Sequence, residues 1–172
     1  MNLLTRSNHK GFTLIETLFS ILIFSAALIS LFTIAGRGIS ATEDVRQEST
    51  AHYLAQEGLE VVRNIRDSNF LATSSNWDAG FSTCTSSSPC NLDYGSGTTT
   101  PALVNCAAAA CDIAELNGAF VSGSLGTDSG YNRQIFVTSV GSDEYLVASQ
   151  VKWMQKTIPR TIVLRTILKK WQ

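Results

Sequence analysis

The stretch RSNHKGFTLIETLFSILIF, residues 6–24, decides how the rest of the chain is read. Arg6, Lys10 and a histidine precede Gly11, and an apolar run follows in which Glu16 is the only ionisable residue as far as Ala35. Leu14 to Ala35 spans 22 residues. As a helix that is about 33 Å, enough to cross a hydrocarbon core of roughly 30 Å. The basic residues before it predict a cytoplasmic N-terminus. A carboxylate in such a span costs about 2.5–3.5 kcal/mol on insertion scales, so Glu16 needs a reason to be there. A discarded secretory signal, cut near Phe24 to Ala27, is the simplest alternative. Its core would run about 7–15 residues, shorter than this one, and a carboxylate would serve no purpose in it.

The sequence after the span continues a helical pattern. No proline occurs from Phe12 to Phe70, and Ala51, Leu54, Gly58, Val61 and Ile65 recur at spacings of three and four. They predict one narrow apolar stripe on a charged helix, with Glu43, Glu57, Glu60 and Arg63 solvated off it. Continued to about Asp67, the helix would be about 84 Å long, too long to be buried in one small domain. Its first half must lie in lipid or against copies of itself, and the later stripe must pack on a head.

KGFTLIE, Lys10 to Glu16, resembles the class III signal of type IV pilins and of the pseudopilins of type II secretion. The likeness rests on the short basic leader, glycine at the cut, phenylalanine after it, glutamate five residues in, and the long apolar helix. Ala55 to Phe70 also resembles the end of the long helix in pilin-like proteins. The resemblance implies a structural subunit, not an enzyme, assembled into a type IV pilus or related filament. The partners it implies are a prepilin peptidase, an inner-membrane assembly platform, and other pilin subunits through the N-terminal helix. The peptidase would cut between Gly11 and Phe12 and methylate the new amino group of Phe12; a missing side chain at Gly11 lets backbone and protease approach closely. The subunit would sit in the cytoplasmic membrane before assembly and in an extracellular filament afterwards. Loss of residues 1–11 leaves 11 Lys+Arg against 14 Asp+Glu, a formal −3.

Cleavage would also give Glu16 a partner. By analogy with the family, Glu16 of an incoming subunit pairs with the Phe12 amine of a neighbour and sets axial register; an intramolecular pair across one turn is the alternative. Many major pilins carry a proline ten positions beyond the residue matching Phe12, where this chain has Leu22. Gly36 and Gly38 are then the weak points of the helix, at about 1 kcal/mol each relative to Ala. The departure is compatible with a minor pilin or a secretion pseudopilin.

The expected layout is a leader (1–11), an apolar membrane and assembly helix (12–36), its amphipathic continuation (37–68) and a globular head (69–172). The fold class expected is α+β, with the second half of the helix packed on a small antiparallel sheet. Within the head, residues 73–130 read as a turn-rich, cysteine-bearing loop region. Ala107 to Phe120 could hold a short helix ending at Gly118. Residues 131–168 read as a three-stranded antiparallel meander, Tyr131–Val140, Tyr145–Met154 and Ile158–Leu168, with turns at Gly141–Glu144 and around Lys156 to Pro159. Cys84, Cys90, Cys106 and Cys111 in an exported domain predict two disulfides. The local pairs Cys84–Cys90 and Cys106–Cys111 are preferred over the nested pairing, which would close a larger loop. Zinc is the rival, with loose spacing and no histidine nearby.

The inventory for catalysis is thin. The only histidines are His9 in the leader and His52 on the helix, so a Ser/His/Asp or Cys/His site has no histidine in the head. Neither an EF-hand spacing nor a phosphate-cradling glycine loop occurs, and no cofactor or metal is implied. Between Lys152 and the C-terminus six basic residues occur without an acid. They read as a lysine-protected sheet edge or as a surface-binding patch of Lys152, Arg160, Arg165 and Lys169 that would contact DNA or another surface. A filament-tip or accessory subunit would use such a patch.

Overall fold

In a computed structural model, which describes residues 11–72, 74–93, 101–106, 111–122 and 126–170, helix α1 runs from Leu14 to Ala72. The chain divides into two units, Met1–Asp44 and Val45–Gln172.

In the first unit the helix exposes Ile15, Leu18, Phe19, Leu22, Ile29 and Phe32, each more than half accessible. It is long and apolar enough to cross a membrane. Its hydroxyls are satisfied within the helix: Ser20 Oγ donates to the Glu16 carbonyl (2.7 Å), Ser25 Oγ to Ile21 (2.7 Å) and Thr33 Oγ1 to Ile29 (2.9 Å). In lipid, where an unmet polar group is costly, this internal bonding lets serine and threonine stand among leucines.

In the second unit the helix meets a sheet of seven strands: β1 (Cys90–Asp93), β2 (Ala102–Asn105), β3 (Asp112–Leu116), β4 (Ala119–Ser122), β5 (Thr127–Gly141), β6 (Glu144–Gln155) and β7 (Ile158–Lys169). All pairings are antiparallel. The β5–β6–β7 meander is the one expected, lengthened by a few residues. Hairpins β1–β2 and β3–β4 add to the β5 edge, so the expected three-stranded sheet is part of a larger one. The short helix expected in Ala107 to Phe120 is not there: Ala107–Ala110 lie outside the described residues, and the remainder is the β3–β4 hairpin. Asn117 and Gly118 form its two-residue turn, both at positive φ (53° and 81°). That is the geometry a twisted hairpin needs, and Asn-Gly supplies it with little steric cost.

The core lies between α1 and the odd-numbered face of β6. Ala51, Leu54, Ala55, Gly58, Leu59 and Val62 are buried on the helix, so the stripe is two residues wide and turns onto Val62; Val61 and Ile65 are only half-buried. Leu59 and Val62 pack with Ile135, Val137, Val147 and Leu168, and Ala51 and Leu54 with Ile113, Tyr131, Val151 and Trp153. Fully burying each Leu, Ile or Val contributes about 1.5–3 kcal/mol. Gly58 sets how closely the helix approaches, because a Cβ there would lie 2.5 Å from Ser149 Oγ.

Trp77, Phe81 and Tyr145 close the core in edge-to-face pairs, with centroids 5.5 to 6.3 Å apart. The Tyr145 hydroxyl donates to Asp78 Oδ2 at 2.8 Å. This bond, then burial and the Asp78 charge, push the phenol above its ordinary 10.0. A raised folded-state pKa means this contribution to stability is intact below about pH 10 and is lost as pH climbs through the folded value. In an alkaline absorbance titration, Tyr145→Phe should remove one tyrosine that ionises above the ordinary phenol value. A high-pH portion of the titration left unchanged by the substitution would contradict the assignment.

Candidate functional site

The chemistry-bearing residues of the N-terminal segment fall at the start of α1. Gly11, Phe12 and Thr13 precede the helix, and Phe12 is exposed. The Thr13 carbonyl accepts from Glu16 N (3.1 Å) and Thr17 N (3.2 Å), and Thr13 Oγ1 accepts from Glu16 N at 3.3 Å. Thr13 is therefore the helix cap and Glu16 the third helical residue, the Thr-x-x-Glu order of a capping box. Reading the helix as starting at Phe12 misses this cap; the three-residue spacing of Thr13 and Glu16 is the signal that finds it. Glu16 also stands in the first helical turn, where the positive end of the helix dipole favours a carboxylate. Among the described residues no hydrogen bond or ion pair engages its side-chain oxygens, which leaves them available to a cation. Arg6 and Lys10, the cations of the expected leader, lie outside the described residues.

The four cysteines form two bridges, Cys84–Cys90 and Cys106–Cys111. They are buried. Each bridge clamps the end of a short β1–β2 hairpin element: Cys90 opens β1, and Cys106 follows β2 and bonds its N–H to the Pro89 carbonyl at 2.8 Å.

The four cations expected to form one patch do not share a face. Directly opposed residues of antiparallel strands point the same way, and Lys152 faces Thr161, Arg165 faces Ala148 and Lys169 faces Glu144 on the side away from the helix. Arg160 is opposite Trp153, on the helix side, and its Nε donates to Gln155 Oε1 at 2.6 Å. Lys169 is paired with Glu144 (2.6 Å), and Lys152 Nζ donates to Gln134 Oε1 at 3.2 Å. Glu57, expected to be solvated, instead pairs with Arg133 at 2.6 Å. Among the described residues no cluster of three or more His, Cys, Asp or Glu side chains could hold a metal ion.

The family model of a prokaryotic N-terminal methylation motif matches residues 6–32. The chain carries a class III prepilin signal. The matched region contains the Gly11–Phe12 junction, the Thr13 cap, Glu16 and most of the apolar helix. No curated protein and no solved structure matches the chain. The prepilin signal together with the α+β architecture supports a pilin- or pseudopilin-like prepilin of a structural kind. Its apolar helix fits membrane anchoring.

Proposed function

We propose that this chain is a prepilin cut after Gly11, methylated at Phe12 and assembled through α1 into a type IV pilus or related filament, as a minor subunit. The observation that carries the reading is the methylation motif over residues 6–32, with glycine, phenylalanine and glutamate at the positions that the chemistry requires. Residues 1–11 serve as leader and 12–36 as the span, with the N-terminus cytoplasmic before assembly. Residues 37–68 carry the head, which lies outside the membrane and then on the filament. The partners are the peptidase, the assembly platform and neighbouring subunits.

Processing is the direct test. Intact-mass measurement of the membrane-extracted chain should show loss of eleven residues and gain of one methyl group. Gly11→Leu, which places a bulky side chain where the backbone must approach the protease, should leave nearly all of the chain at full length. Efficient trimming of that variant at the same bond would contradict the assignment of Gly11.

A second reading is an accessory or tip subunit whose outer sheet face contacts DNA or a surface. The shared face of Lys152, Arg165 and Lys169 favours it. Labelled chain along the whole shaft of purified filaments would remove it.

A further inference from the structure

We propose that the outer edge of β7 is a strand-addition site, which takes an acid-bearing extended segment of another protein as a further antiparallel strand of the sheet. The site lies wholly within the second unit and does not depend on cleavage, methylation or filament assembly.

Among the described residues β7 pairs with β6 alone. Just beyond the strand, Lys170 N donates to the Asp143 carbonyl at 3.1 Å. That contact continues the β6–β7 register, in which Lys169 lies opposite Glu144. Hydrogen-bonded pairs alternate with non-bonded ones along an antiparallel ladder. The even-numbered residues of β7 therefore bond to β6, and Thr161, Val163, Arg165, Ile167 and Lys169 turn their N–H and C=O groups outward. Pro159 falls in the same outward set. Its missing N–H costs the ladder nothing there, and such edge positions are where sheets tolerate proline. A row of outward main-chain groups is a template for another strand.

Side chains along the edge define what that strand carries. On the helix side Ile162 and Leu164 are only half-buried, although both pack on the core. Opposite them on β6, Val151 and Ser149 are fully buried. The rim of the core is thus open along β7, and apolar side chains at alternate positions of an added strand would cover it. On the other face stands Arg165, exposed, with Val163 and Ile167 on either side. Lys169 is held by Glu144, whereas no described residue pairs with Arg165. A carboxylate across from Arg165 is the favourable cross-strand partner.

Charge selects another protein over a second copy. β7 contains Arg160, Arg165 and Lys169 and no acid. Two such edges paired about a two-fold axis near the middle of the strand would set their Arg165 side chains opposite or diagonal to each other, a like-charge contact. The sheet's other edge strands, β2 and β4, contain no carboxylate either. Cations of this kind deter self-pairing of an edge and admit an acidic strand. A DNA phosphate would meet Arg165 but leave the rim at Ile162 and Leu164 uncovered.

The probe is the end-blocked peptide SVTVEVTVS, which alternates valine with polar residues around one glutamate. The full chain, labelled with ¹⁵N and held in detergent micelles, is mixed with it at up to millimolar concentration, and amide exchange is followed by NMR. Before addition, the N–H groups of Val163, Arg165 and Ile167 should exchange fast and those of Leu164 and Thr166 slowly. The peptide should slow the fast set. Lysine in place of the peptide's glutamate should weaken binding about fivefold or more. Arg165→Glu should reverse the preference between the two peptides, and unchanged slow amides on β6 would show that this variant is folded. Outward amides left unprotected by the glutamate peptide overturn the site. Protection that rises with the chain's own concentration, without peptide, gives the edge to a second copy and overturns the occupant. Equal binding of the two peptides, or a preference unaltered in Arg165→Glu, overturns the acid selection and with it the proposal. Protection by a DNA duplex and by neither peptide does the same.

Discussion

Glu16→Ala is expected to give a chain that is cut, methylated and inserted in normal amounts, yet is reduced at least tenfold in filaments. The substitution makes the span more apolar, so insertion should not suffer. It also leaves the Gly11–Phe12 junction and the Thr13 cap in place, so processing should proceed. What disappears is an anionic group in the first helical turn, whose oxygens engage no described residue of the same chain. In the proposed assembly those oxygens receive the cationic amine of a neighbouring Phe12, out of reach of water, where an unmatched amine would be expensive. The measurement is quantitative immunoblotting of sheared filaments against the membrane fraction, with the N-terminal methyl group checked by mass. Normal incorporation of the alanine variant would sink the register role. Glu16→Gln separates charge from shape: it can still accept a hydrogen bond, so its incorporation should exceed that of alanine and stay below that of the parent.

The prepilin signal was legible in the sequence because its chemistry is local. The residues that carry the resemblance all fall within the seven residues Lys10 to Glu16. The β5–β6–β7 meander was legible for a related reason: alternation in Tyr145 to Met154 follows from a half-buried strand and needs no knowledge of its neighbours. The β3–β4 hairpin was masked by its alanine-rich approach, which raises helix propensity, although Asn117–Gly118 is a strong hairpin signal. Strands β1 and β2 have four residues each. Such short segments carry too few alternations to read, and they hold their place through long-range pairing and the two bridges. The buried face of α1 turned from Val61 to Val62 because a straight helix drifts against a strict three-four repeat. Glu57 was misread as solvated for a different reason. Its partner lies 76 residues further along the chain, and nothing local announces that an arginine on β5 will be buried.

That arginine should give the largest loss of stability in the head. Arg133 is 1% exposed, although its type is among the least often buried. Its Nε donates to Asn91 Oδ1 (3.0 Å), and its Nη1 donates to the Leu54 carbonyl (3.3 Å) and Glu57 Oε2 (2.6 Å). Its backbone N–H donates to the Cys111 carbonyl at 2.9 Å, which also accepts from Asn91 Nδ2 at 3.2 Å. One side chain thus ties α1 to β1, with β5 as its base, beside the Cys106–Cys111 bridge. Hydrogen bonds from a charged donor contribute about 1.5–3 kcal/mol each. A large side chain cut back to alanine also leaves a cavity that the helix, fixed by Gly58 against Ser149, cannot readily fill. Arg133→Ala is therefore expected to destabilise the head by about 3–5 kcal/mol, a large share of the 5–15 kcal/mol typical of a domain. Glu57→Ala should cost less, because that carboxylate side chain is 37% exposed and water can enter to solvate the arginine that remains. Denaturant unfolding of the full chain in detergent, followed by near-UV circular dichroism, measures both. Equal losses would mean that the arginine acts on stability through the ion pair alone. The expected order, Arg133→Ala well beyond Glu57→Ala, would show that the arginine acts mainly through its neutral acceptors and the space it fills.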